Sequence, residues 1–93
     1  MVVCYANVLI RLFGISSLKE KRSVVRSLLS QLKKHFEISA IEAGQQDSKD
    51  YILVGLAFAS ISEKDCERKI ENIENFIDTM LTVEEFIYDY HHF

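Results

Sequence analysis

From Val2 to Leu12 the chain alternates. Cys4, Ala6, Val8, Ile10 and Leu12 fall on one side, Val3, Tyr5, Asn7, Leu9 and Arg11 on the other. Period-two alternation rich in branched residues is strand behaviour, and the uniformly apolar side is the one expected to meet helices. Phe13 to Ser16 reads as a turn, with Gly14 free to take dihedrals that other residues avoid. Across Ser17–Phe36 the period changes. Leu18, Val25, Leu28, Leu29, Leu32 and Phe36 recur at steps of three and four, the buried stripe of one amphipathic helix. Ser17 is placed to cap this helix and Glu20, three residues on, to close a capping box.

Glu37 to Ala43 follows as a short second strand, and Gly44 to Asp50 as a polar connection. Tyr51 to Ser60 alternates again, Ile52, Val54, Leu56 and Phe58 against Tyr51, Leu53, Gly55, Ala57 and Ala59. Neither side carries a charge, which predicts a central strand or one covered on both faces. Ser62 caps a second helix with Asp65 in the capping-box position; Cys66, Ile70, Ile73, Ile77 and Met80 form its buried stripe, with Phe76 beside it. Thr82 to Tyr90 is the last strand, and His91, His92 and Phe93 are expected to fray.

The order is strand, helix, strand, strand, helix, strand. Two short helices cover one face of a small sheet, so the pattern predicts a single α+β domain over residues 1–93. Its architecture is a βαββαβ two-layer sandwich, a four-stranded antiparallel sheet with both helices on one face. The other face stays open and partly apolar through Tyr5, Leu9, Leu53 and Ala57, which predicts a homodimer through that face, with a strand edge and the acidic helix as the alternative surfaces. Leu53, Gly55, Ala57 and Ala59 give the third strand no ring on that side, so base stacking of the RNA-recognition kind is a poor fit.

Charge changes the picture. The formal net charge is −3, yet residues 1–36 carry seven Lys/Arg against Glu20 alone, while residues 37–93 carry four basic and thirteen acidic residues. The basic share sits on the first helix, where Lys19, Arg22, Arg26 and Lys33 fall on one stripe beside the apolar one. Lys33, Lys34 and His35 suit the negative end of the helix dipole, and Lys21 lies close enough to the apolar stripe to snorkel over it. Lys19, Arg22 and Arg26 stand at the wrong end for the dipole. A solvated face that serves solubility is the simplest account of such a run; the unfavourable placement is the argument for a partner, either an RNA or other phosphate backbone or an acidic protein surface.

Chemistry is sparse. The chain has no HExxH, no metal-ligand cysteine spacing and no glycine-rich phosphate loop, so no catalytic residue, metal or cofactor is expected. His35 reads as a packed or half-exposed residue. His91 and His92 are adjacent, and on a strand would point to opposite faces. One polar group stands out: Glu42, Gln46 and Asp47, which with Arg11 or a helix lysine compose a candidate polar site for a small ligand or acid–base work. The simpler role for Asp47 is to cap the connecting turn. Cys4 and Cys66 are isolated and each occupies an apolar position, so buried free thiols and no disulfide are expected. The apolar start has no basic leader and is too short to span a membrane, so the expectation is a soluble cytoplasmic protein.

Ser17-Leu18-Lys19-Glu20-Lys21-Arg22, then Val24-Val25-Arg26-Ser27-Leu28-Leu29, Phe36, Glu42, Gln46-Asp47 and Leu53-Val54-Gly55-Leu56-Ala57 together resemble the YlxP-like family of small bacterial proteins, the domain of unknown function DUF503. The match runs nearly end to end. It implies a ferredoxin-like fold, no established enzyme activity, and association with RNA, rRNA or the ribosome. Two departures stand out: Phe13-Gly14 where the family usually has Pro-Gly, and no Trp after Gln46-Asp47.

Overall fold

The computed structural model describes residues 1–93. Its elements are β1 (Val2–Arg11), α1 (Leu18–His35), β2 (Ser39–Gly44), β3 (Tyr51–Ser60), α2 (Glu63–Asp78) and β4 (Thr82–His92). The strands form one antiparallel sheet in the order β2-β3-β1-β4, with β1 and β3 central. This is a ferredoxin-like α+β sandwich.

The expected faces set the core. Cys4, Ala6, Val8 and Ile10 of β1 join Ile52, Val54, Leu56 and Phe58 of β3 beneath Val25, Leu28 and Leu32 of α1 and Cys66, Ile70, Ile73 and Ile77 of α2. All of these are buried. Each Val, Leu, Ile or Phe side chain among them contributes about 1.5–3 kcal/mol when removed from water. A solvated helix pair contributes tenths, so this layer holds the fold together.

Both helices start as the sequence implies. Ser17 Oγ accepts the Glu20 N–H at 3.1 Å and Ser62 Oγ accepts the Asp65 N–H at 3.1 Å. The reciprocal arm of the first box reaches one residue further back than expected. Glu20 Oε2 accepts from the N–H of Ser16 at 3.0 Å and from its hydroxyl at 2.7 Å.

Four expectations are corrected. Cys4 and Cys66 are not free thiols: they are joined as a disulfide, with Cα atoms 6.3 Å apart. Cys4 faces the helices from β1 and Cys66 lies on the buried stripe of α2, so the packing of α2 on the sheet brings the two sulfurs together. The second strand starts at Ser39, because the Ile38 N–H turns back to the Phe36 carbonyl at 2.8 Å and uses Glu37 in the bend. Met80 leaves the stripe and is 40% exposed. The N–H groups of Met80 and Leu81 both close on the Ile77 carbonyl, and Leu81 packs on the core instead. The last strand continues to His92, since Val2 and Val3 at the start of β1 pair with His92 and His91. No helix is long and apolar enough to cross a membrane.

Candidate functional site

Lys19, Arg22, Arg26 and Lys33 are all exposed, and at about 100° per residue they share one side of α1. None of them has a carboxylate within ion-pair reach; the ion pairs of the molecule are Lys21–Glu42, Arg68–Asp65 and His92–Glu63. Glu20 lies among these cations in sequence, but it is directed to Ser16. The Ser16 hydroxyl first, and then its N–H, holds the Glu20 carboxyl below the ordinary carboxylate range. Ser17, Lys19, Glu20, Ser23 and Arg26 line a shallow depression of about 490 Å³ at this end of the helix. The positive end of the helix dipole disfavours cations near the first turn by tenths of a kcal/mol or more, so Lys19 and its neighbours gain nothing from the helix that carries them.

Lys21 behaves differently. Its side chain is 1% exposed, and Nζ donates to the Gln45 carbonyl and lies 3.4 Å from Glu42 Oε2. Residues 21, 25, 28 and 32 are the buried ladder of α1, so the lysine occupies a core position and does not snorkel. Gln45 has a left-handed backbone with φ of 59°. For a residue with a Cβ that costs roughly 1–2 kcal/mol. Its carbonyl also accepts the Ser48 N–H at 3.0 Å, and Ser48 Oγ accepts the N–H groups of Asp50 and Tyr51. Ser48, not Asp47, therefore caps this turn. Gln46 and Asp47 point into solvent.

The candidate polar site is divided between the two faces of the sheet. Glu42 pairs in register with Val54, on the helix-covered side. Arg11 lies on the open side, where its Nη1 donates to the Tyr51 hydroxyl at 3.0 Å and its guanidinium stands 5.0 Å from the Tyr51 ring and 5.5 Å from that of Phe13. The Tyr51 hydrogen bond, followed by the charges of Asp50 and Glu84, raises the already high Arg11 pKa. A helix lysine does meet Glu42, but it is Lys21, whose ammonium is taken up by structure.

The open face carries Tyr5, Ile41 and Ile87, which are 47, 60 and 59% exposed. Tyr5, Asn7, Ser39, Ile41, Ala43 and Gly55 rim a hollow of about 320 Å³ on it. Gly55 has a steric reason to be glycine, since a Cβ there would stand 3.0 Å from that of Ala43. The two terminal histidines diverge. His92 Nε2 is 2.6 Å from Glu63 Oε1 of α2, while His91, paired with Val3, meets the Phe93 ring edge-on at 4.6 Å. His35 Nδ1 lies 3.0 Å from the Gln31 carbonyl, and its ring sits 4.6 Å from that of Phe76.

Sequence reading missed the structural use of Lys21. The signal was present: its step of four to Val25 places it on the stripe. Its partners, Glu42 and Gln45, are distant in sequence and became visible only with β2 in register.

Fold and surfaces together define a class: a small ferredoxin-like sandwich with an unpaired basic helix face and an open sheet. A family model described as "Protein of unknown function (DUF503)" matches residues 3–90, and the chain belongs to that family. "Uncharacterized protein YlxP" of Bacillus subtilis (strain 168) is 32% identical over 76 residues, spanning 82% of this chain and 83% of that protein. Among solved structures, the designed protein Ferredog-Diesel matches with 12% identity and a TM-score of 0.44, over 94% of this chain and 83% of that one. Arabidopsis thaliana At3g17210 matches with 7% identity and a TM-score of 0.49, over 97% and 93%.

Proposed function

We propose that this protein is a non-enzymatic binding protein that engages RNA, as rRNA or on the ribosome, through Lys19, Arg22, Arg26 and Lys33. One observation carries the reading. These four cations are exposed, aligned on one side of α1 and unpaired. A phosphate backbone supplies the missing anions at repeated spacing, and such contacts release counterions and weaken steeply with salt. An RNA duplex read by shape and phosphate requires no base-stacking aromatics. The test is anisotropy titration of a labelled RNA hairpin at several salt concentrations, with cosedimentation on ribosomal subunits. Arg22→Glu with Arg26→Glu is expected to weaken both and flatten the salt dependence. Unchanged affinity and slope would remove this face from the function. Association that survives nuclease treatment would point to an acidic protein partner instead.

A second reading is a homodimer across the open sheet face, favoured by the exposed Tyr5, Ile41 and Ile87 around Leu9 and Leu53. Ile41→Glu is expected to abolish that association in sedimentation equilibrium, and a monomer at all concentrations would end the reading. Small-ligand or acid–base work by Arg11, Glu42, Gln46 and Asp47 is not carried forward, because Arg11 and Glu42 lie on opposite faces of the sheet.

A further inference from the structure

The two edges of the sheet differ. β2 is six residues long and its pairing shifts register after Glu42. β4 is eleven residues long, none of them buried, and pairs with β1 alone. A long edge strand offers a row of free backbone donors and acceptors. Which residues offer them follows from the ladder. The Phe93 N–H donates to the Met1 carbonyl at 2.8 Å, so by antiparallel alternation residues 85, 87, 89, 91 and 93 turn their backbone groups toward β1, and Phe86, Tyr88 and Tyr90 turn theirs outward. The Tyr90 N–H fits this phase: it has no strand to bond and takes the Asp89 carboxylate of its own neighbour at 2.8 Å.

We propose that the β4 edge pairs with the same edge of a second copy, antiparallel and centred on Tyr88, to make one continuous sheet with all helices on one side. A two-fold axis normal to the sheet keeps like faces together, so the centre must fall on a residue and not between two. Charge then selects among the registers. Centring on Ile87 sets Glu85 opposite Asp89 twice, and centring on Asp89 opposes the two Asp89 carboxylates. Centring on Phe86 draws the irregular stretch before Glu85 into the ladder, and centring on Tyr90 leaves little strand to pair. Centring on Tyr88 sets Tyr88 opposite itself and Phe86 opposite Tyr90, three residues whose backbone groups face outward. On the open side it opposes no like charges: it sets Ile87 opposite Asp89 and the Glu85 carboxylate opposite the His91 ring, an acceptor against a donor, each twice by symmetry. Tyr88 is 41% exposed and gains cover from its twin. The contact uses none of the α1 cations and touches the open face only through the β4 side chains at its margin, and it stands whether or not RNA binds.

The test follows amide exchange and sedimentation of the full chain as its concentration is raised into the hundreds of micromolar. A dimer is expected, with the Phe86, Tyr88 and Tyr90 amides slowing as it forms while that of Ile87, already bonded to β1, does not change. Glu85→Lys and His91→Glu are each expected to weaken the dimer about tenfold, two symmetric cross-strand pairs at up to ~1 kcal/mol each. The double variant exchanges the partners and is expected to restore it. A protein that stays monomeric overturns the proposal, and so does a dimer whose edge amides stay unprotected, which assigns the contact to the open face. A double variant no tighter than the singles overturns the Tyr88 register.

Discussion

Lys21 and Arg22 are consecutive residues of one helix with opposite surroundings. Lys21 is 1% exposed, with a carbonyl and a carboxylate on its ammonium. Arg22 is exposed and has no acidic partner. One residue of helix rotation, about 100°, separates a cation that fastens the fold from one that has no task within it. A count of basic residues merges the two. Their partners separate them, and only the unpartnered set supports a binding surface.

The comparison can be broken most forcefully at Lys21. Lys21→Met leaves the Glu42 carboxylate without its cation and takes one of two donors from the Gln45 carbonyl, which keeps the Ser48 N–H, and a loss of about 3 kcal/mol is expected in urea unfolding, with the salt slope of RNA binding unchanged. A loss below about 0.5 kcal/mol, the range of ordinary surface changes, would mean the pair is incidental. The converse holds for Arg22→Glu/Arg26→Glu: unfolding within about 0.5 kcal/mol of the parent, and RNA affinity lower by about tenfold or more at low salt. If that variant unfolded instead, these arginines would belong with Lys21. A smaller effect is expected at Gln45, where glycine removes the left-handed strain that the Lys21 contact holds in place; Gln45→Gly is expected to raise stability by about 0.5–1 kcal/mol in thermal melts.

The smallest effect concerns Glu20, whose carboxyl is held below its ordinary range by Ser16. A lowered carboxyl pKa stabilises the fold at pH values above the unfolded-state value. That contribution is lost as pH falls through the folded-state value. Glu20→Gln is therefore expected to lose a small part of the acid limb of the stability profile. A profile identical to the parent's would show that the Ser16 bonds do not act on folding.

Periodicity made the element order, both caps and the helix-facing sides of β1 and β3 legible, because each depends on neighbours within a few residues. The exposed cations of α1 were legible for the same reason. What escaped depends on register between distant segments. Position 21 lay on the buried stripe, yet a lysine there makes sense only beside Glu42 and Gln45, which β2 brings up. Arg11 and Glu42 belong to strands whose relative facing is set by pairing through β3, and no local pattern reveals it. His91 and His92 read as a fraying end until the start of β1 is placed beside them.

The Cys4–Cys66 bond links a central strand to the first turns of α2 across 62 residues of sequence. It closes a covalent ring that contains α1, β2 and β3. A ring of that length restricts the unfolded chain by about 4 kcal/mol on the loop-entropy relation. The unfolded ensemble is then compact: the ring cannot open, and less surface meets denaturant when the native packing is lost. Oxidised protein should therefore unfold at higher urea with a shallower slope, and reduced protein at lower urea with a steeper one. One sequence would thus have two denatured states and a stability that follows the redox potential around it.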